Sequence, residues 1–181
     1  MNPAERLSAL DEKQRYDLHQ NDSAGHRVFF EPLIKHIEEF FKHTERPLLS
    51  LDYGCGPVPV LSSLLLQKGF QPANYDLFYC PDQDQLRKTY HLVTSTEVWE
   101  HYHDPRADIE RSLKCLKMGG LLAVMTSSHK GEASFHDWHY RRDLTHTTFF
   151  SEKTMKWISQ HFRLKAVVSK SPYWIFQKEP S

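Results

Sequence analysis

Apolar residues recur along this chain at two periods that take turns. From about Arg27 to Lys42, Phe29, Phe30, Leu33, Ile34, Ile37, Phe40 and Phe41 fall at three- and four-residue steps, which predicts an amphipathic helix. Pro47 closes the connection, and Leu48 to Tyr53 is an apolar run of strand length. The next helix is punctuated by Pro59 in its first turn and Gly69 at its stop, with Val60, Leu61, Leu64 and Leu65 on its buried face. A second strand is expected near Ala73 to Phe78, ending around Asp76, and a third begins over Leu92 to Thr96. Asp104-Pro105 caps a helix lined by Ile109, Leu113 and Leu116, which Gly119-Gly120 should terminate. Leu121 to Thr126 reads as a short strand, and Ser127 to Phe150 as a long polar and aromatic loop. Ser151 caps a helix to about Phe162, and two last strands lie near Arg163–Ser169 and Tyr173–Lys178. Residues 1–23 are polar and helical in part, with Leu7, Leu10 and Leu18 as scattered anchors.

Strands alternating with helices predict an α/β fold, with an open and mostly parallel sheet covered on both faces. The final pair, joined by Lys170-Ser171-Pro172, predicts an antiparallel C-terminal edge. Only 14 residues separate Asp76 from His91, enough for one crossover but not for two and an extra strand. A sheet of about six strands follows.

Composition narrows the class without changing this picture. At 181 residues the chain suits one domain and is short for two. Lysine plus arginine equals aspartate plus glutamate at 23 each, which argues against a nucleic-acid binder working by bulk electrostatics. The N-terminus has early charges and no apolar core, so no signal peptide is expected, and no run approaches a membrane span. Cys55, Cys80 and Cys115 never form a Cys-x-x-Cys pair, which fits a reducing cytoplasm.

The chemistry begins at Leu51-Asp52-Tyr53-Gly54-Cys55-Gly56-Pro57-Val58-Pro59, a strand that stops at a glycine turn before a helix. Such a junction sets backbone N–H groups beside a helix N-terminus, a seat for a polar cofactor. A dinucleotide-binding loop needs Gly-x-Gly-x-x-Gly, and no glycine follows Gly56 before Gly69, so a nicotinamide-dependent oxidoreductase is excluded. Asp-x-Gly-x-Gly after a strand resembles the first motif of class I S-adenosylmethionine-dependent methyltransferases. Thr94-Ser95-Thr96-Glu97-Val98-Trp99-Glu100-His101 resembles the Glu-Val-x-Glu-His loop after that family's fourth strand. Lys117-Met118-Gly119-Gly120 is similar to its Lys/Arg-Pro-Gly-Gly turn, with Met118 in place of proline. Phe135 to His146, including Trp138-His139-Tyr140-Arg141-Arg142-Asp143, resembles a Trp-His-Tyr-Arg-Arg-Asp-x-Thr-His segment of a subgroup of small bacterial methyltransferases. Arg15 to Asp22 resembles the same subgroup's opening element.

The resemblance implies a Rossmann-like class I methyltransferase fold, its third strand shortened or missing. It implies one domain over 1–181: an N-terminal helical cap to 46, a cofactor core over 47–126, an acceptor-side loop over 127–150, and a helix and hairpin over 151–181. It implies transfer of a methyl group from S-adenosylmethionine to a small-molecule acceptor. Asp52, Gly54, Cys55, Gly56, Ser95, Thr96 and Glu97 would hold the cofactor, Asp76 would accept from its ribose hydroxyls, and Tyr16 and His19 would close over it. Trp138, Arg141, Arg142 and Asp143 would contact the acceptor, and His139 or His146 would take its proton if it is a hydroxyl. His136, His139 and His146 lack the i, i+4 spacing of a compact zinc site, so no metal is expected. Val58 stands where the family usually has a third glycine, and prolines on both sides stiffen the loop, so cofactor affinity is expected to suffer. The alternative is a degenerate methyltransferase fold that binds the cofactor or a protein partner without turnover.

Overall fold

A computed structural model describes residues 6–18 and 23–179. In chain order it holds α1 (Ala9–Asp17), α2 (Ser23–Phe40), β1 (Leu48–Tyr53), α3 (Val60–Gln67), β2 (Phe70–Tyr75), β3 (Tyr90–Thr96), α4 (Pro105–Lys114) and β4 (Leu116–Met125). There follow β5 (Ser128–His129), α5 (Glu132–Phe135), β6 (Phe150–Ser151), α6 (Glu152–His161), β7 (Leu164–Lys170) and β8 (Tyr173–Lys178). Six strands form the main sheet in the order β2-β1-β3-β4-β8-β7, and β5 pairs with β6 apart from it. The first four are parallel, while β8 runs antiparallel to β4 and β7 antiparallel to β8.

Each face of the sheet buries its own apolar cluster. Leu33, Ile37, Leu61 and Leu65 from α2 and α3 pack on Leu92, Leu121, Ala123 and Met125. Ile109, Leu113, Met155 and Ile158 from α4 and α6 pack on Val93, Leu122, Val124 and Trp174. Alternate residues of β4 therefore serve opposite faces, as period-two strand geometry requires.

Several boundaries differ from the sequence reading. The second strand starts at Phe70 and ends at Tyr75, so Pro72 lies inside it. That is tolerable because β2 is an outer strand, where a missing N–H breaks no ladder toward a further strand. The Gly119-Gly120 pair does not end α4, which stops at Lys114 with Cys115 as its C-cap. Instead the pair lies within β4, where the register with β3 shifts between Tyr90 opposite Leu116 and Leu92 opposite Leu121. Residues 77–89 carry a 3-10 turn at Gln83–Arg87 and no strand. In α1 the expected anchors Leu10 and Leu18 are exposed, and Glu12 is the residue buried. The helix turns a polar face inward.

Candidate active site

The order of the sheet reverses between β2 and β3, which flank β1 on opposite sides. Chains leaving neighbouring strand ends in opposite directions open a crevice there, the usual ligand position of an open α/β sheet. A cavity of about 550 Å³ lies at this point, within the range of small-molecule sites, about 300–1,000 Å³. The glycine loop, the residues after β2, those after β3, and α1 wall it.

Asp52 ends β1 buried, accepting from Thr94 Oγ1 at 2.9 Å and Ser62 Oγ at 3.4 Å. Burial pushes its carboxyl up to about 6, against the lowering effect of those two hydroxyls. Gly54 and Gly56 both hold positive φ, 84° and 66°. The loop amides are not left open. Gly54 N and Cys55 N donate to Tyr75 O at 2.7 and 3.2 Å, and Gly56 N donates to Asp76 Oδ2 at 2.9 Å. Asp76 Oδ1 accepts from the Phe78 and Tyr79 amides at 2.8 and 3.1 Å. The acid after β2 thus pins the glycine loop, and spare lone-pair capacity remains mainly on Oδ2. Cys55 lines the cavity, its thiol pushed up by burial and the nearby Asp52 and Asp76. Val58 lies on the cavity rim with its residue 52% exposed, so its side chain leans to solvent as much as to a ligand.

After β3, Thr96 and Glu97 line the cavity, Glu97 at φ 53°, with its amide donating to Met125 O at 2.8 Å. Ser95 is fully buried and stands outside the lining. Glu100 is fully buried. It accepts from Thr126 Oγ1 at 2.9 Å and from the Tyr140 hydroxyl, which also reaches Glu97 at 3.4 Å. Glu97 is exposed as a residue, but partial desolvation of its carboxyl and the neighbouring Glu100 push it upward. His146 is buried against Tyr140, with ring centroids 4.1 Å apart, and lines the cavity beside His101. Burial lowers His101.

The remaining expectations divide. Tyr16 lines the cavity, its hydroxyl 2.7 Å from Glu12 Oε1 and its ring 5.2 Å from that of His101. His19 lies outside the described residues. His139, Trp138, Arg141, Arg142 and Asp143 do not line the cavity. His139, Arg141 and Arg142 are exposed, Trp138 stacks on Tyr140 at 4.9 Å, and Asp143 pairs with Arg15 at 3.5 Å. Of these, Trp138 packs behind Tyr140, next to the wall. Sequence reasoning missed Glu12, Tyr140 and Thr126; the i, i+4 pair of Glu12 and Tyr16 was the available signal for the first.

A family model described as "Methyltransferase domain" matches residues 24–169, most of the chain. The chain belongs to the methyltransferase domain family. Among curated protein sequences none matches it. Three solved structures share the fold of this family member at low identity. The 1,6-didemethyltoxoflavin-N1-methyltransferase of Burkholderia thailandensis, with bound 1,6-didemethyltoxoflavin and S-adenosylhomocysteine, is 14% identical at TM-score 0.61, covering 96% of this chain and 92% of that one. The magnesium protoporphyrin IX methyltransferase of Synechocystis PCC 6803, with bound S-adenosylhomocysteine, is 17% identical at TM-score 0.60, covering 93% and 92%. An O-methyltransferase family protein from Burkholderia thailandensis is 14% identical at TM-score 0.63, covering 99% and 66%.

Proposed function

We propose that the protein binds S-adenosylmethionine in the switch-point cavity and transfers its methyl group to a small-molecule acceptor. The observation that carries this reading is the shared wall: glycine loop, Asp76 segment and post-β3 segment meet around one cavity of about 550 Å³. In this reading the methionine end lies along Gly54–Gly56, a ribose hydroxyl donates to Asp76 Oδ2, and Leu77 and Phe78 give the base an apolar wall. The family and the fold of the solved relatives support it, two of them carrying S-adenosylhomocysteine. The strandless stretch 77–89 fits a sheet with its third strand shortened.

Methyl transfer from a sulfonium is an in-line displacement: the acceptor's lone pair forms the new bond to carbon as the carbon–sulfur bond breaks, and sulfur keeps its electrons. Alignment and exclusion of water are the main requirements. Glu12 and Tyr16 of α1 line the cavity and would serve the second. If the acceptor is a hydroxyl, His146 is the better base of the two expected histidines, because it lines the cavity and His139 does not. Its Nδ1 faces the Tyr140 carbonyl at 2.6 Å, which can only accept, so Nε2 is left with the lone pair. Trp138 and Asp143 act through Tyr140 and Arg15, which they contact.

Calorimetry with S-adenosylhomocysteine, set against NADH, tests the reading. One site for the first and none for the second is expected; a folded protein that binds neither overturns it.

A further inference from the structure

Glu100, His101 and His146 come together at one end of the cavity from two distant segments of the chain. One ring nitrogen of each imidazole and a Glu100 oxygen all lie within 4.8 Å of one another. We propose that these three side chains form a binding site for a divalent first-row transition-metal ion, with its remaining positions open to the cavity.

Three features of the surroundings carry this. First, His101 Nδ1 lies 3.1 Å from Thr145 O, and His146 Nδ1 lies 2.6 Å from Tyr140 O. A carbonyl only accepts, so each Nδ1 bears the hydrogen and each Nε2 keeps its lone pair. Backbone carbonyls on one nitrogen are the usual means of orienting the other toward a metal. Second, Glu100 is fully buried, and among the described residues no lysine or arginine pairs with it. A buried carboxylate without a cation is costly, and a divalent ion supplies the charge. Third, the hydroxyls of Thr126 and Tyr140 donate one to each Glu100 oxygen, and the Glu97 carboxyl stands against the same group. Ligating carboxylates are commonly held by such hydrogen bonds.

Ligand atoms around one ion at about 2.1 Å sit roughly 3.4 Å apart in tetrahedral geometry, so binding draws the three inward by about an ångström. Two imidazoles and one carboxylate suit zinc, iron, cobalt or manganese better than magnesium or calcium, which prefer all-oxygen shells. All three ligands line the cavity; with an ion bound, His146 Nε2 is a ligand and no longer a base, and the open position faces the place where an acceptor would stand and takes its oxygen instead. That last clause rests on the function proposed above; the site itself does not.

Cobalt(II) titration of the purified full chain, followed by absorption and calorimetry, tests the site. One ion per chain is expected. Glu100→Gln, His101→Ala and His146→Ala should each abolish stoichiometric binding, while His136→Ala, outside the cavity, retains it. Tyr140→Phe, which removes only a hydroxyl behind Glu100, should weaken binding about ten- to a hundredfold, with circular dichroism reporting an intact fold. Wild-type protein that is folded and binds no cobalt, or binding retained in all three ligand variants, overturns the proposal. S-adenosylhomocysteine titrated into the same samples separates the two readings. Cofactor binding without cobalt discards only the metal site, and cobalt binding without cofactor discards only the methyltransferase assignment.

Discussion

A Cβ added at Gly54 would stand 2.4 Å from Val98 Cγ2, whereas at Gly56 it would meet nothing within 4 Å. Both residues hold positive φ, so an alanine at either is strained by about 1–2 kcal/mol. Only Gly54 adds a collision. Gly54→Ala is therefore expected to lower the melting temperature more than Gly56→Ala, and Val98→Ala to recover part of the loss at Gly54 alone. Equal melting temperatures for the two alanine variants would contradict the close approach. Asp52 makes a second prediction at this scale. Burial raises its folded carboxyl to about 6 from the ordinary 3.8, so the fold prefers its protonated form. Its contribution is fully present below pH 4 and is lost as pH rises through 6, a loss of about 3 kcal/mol. Asp52→Asn lacks this loss, so in urea titrations its stability relative to the wild type should improve between pH 4 and pH 7. A constant difference across that range would refute the assignment.

Elements were legible where local chemistry decides them. Asp104 caps α4 through the Ala107 amide at 3.1 Å, and Ser151 caps α6 through Thr154 N at 3.1 Å, both as their sequence positions require. Ser151→Ala should cost about 1 kcal/mol, read as a lower midpoint in thermal or urea unfolding. No change would mean that Met155 and Ile158, packed on the sheet, hold the helix without its cap. Where long-range pairing decides, the local signs misled. A glycine pair ordinarily ends a helix, but Gly119-Gly120 absorbs a register shift between β3 and β4. A proline ordinarily starts or ends a strand, but Pro72 sits inside β2 because that strand has no neighbour beyond it.

At the scale of the molecule, the sheet order puts the ends of β1 and β3 under one cavity, and α1 adds Glu12 and Tyr16 to its wall. Tyr16 joins that helix to the site through the His101 ring, and Arg15 reaches Asp143 in the loop behind His146. A half-buried, long ion pair of this kind is worth about 1 kcal/mol, so the ring is expected to hold the helix more than the pair does. Tyr16→Ala is expected to speed release of S-adenosylhomocysteine about tenfold in stopped-flow measurements, with a smaller effect from Asp143→Asn. The reverse order would assign the hold on the helix to the ion pair. Among the described residues no helix is long and apolar enough to cross a membrane.

By itself the sequence determined the alternation of strands and helices, the glycine loop with Asp52 at its start, and the antiparallel end of the sheet. Each of these rests on residues close in the chain: period, caps and turn chemistry are local. The tertiary structure alone decided which polar side chains meet. In the sequence Glu100 and His101 belong to the loop that resembles Glu-Val-x-Glu-His, and His146 is one of two candidate bases in a long loop. Folding buries all but part of His101 and brings them within 4.8 Å of one another. No spacing in the chain encodes that meeting, because two separate segments reach it through the sheet and the loop that packs over it.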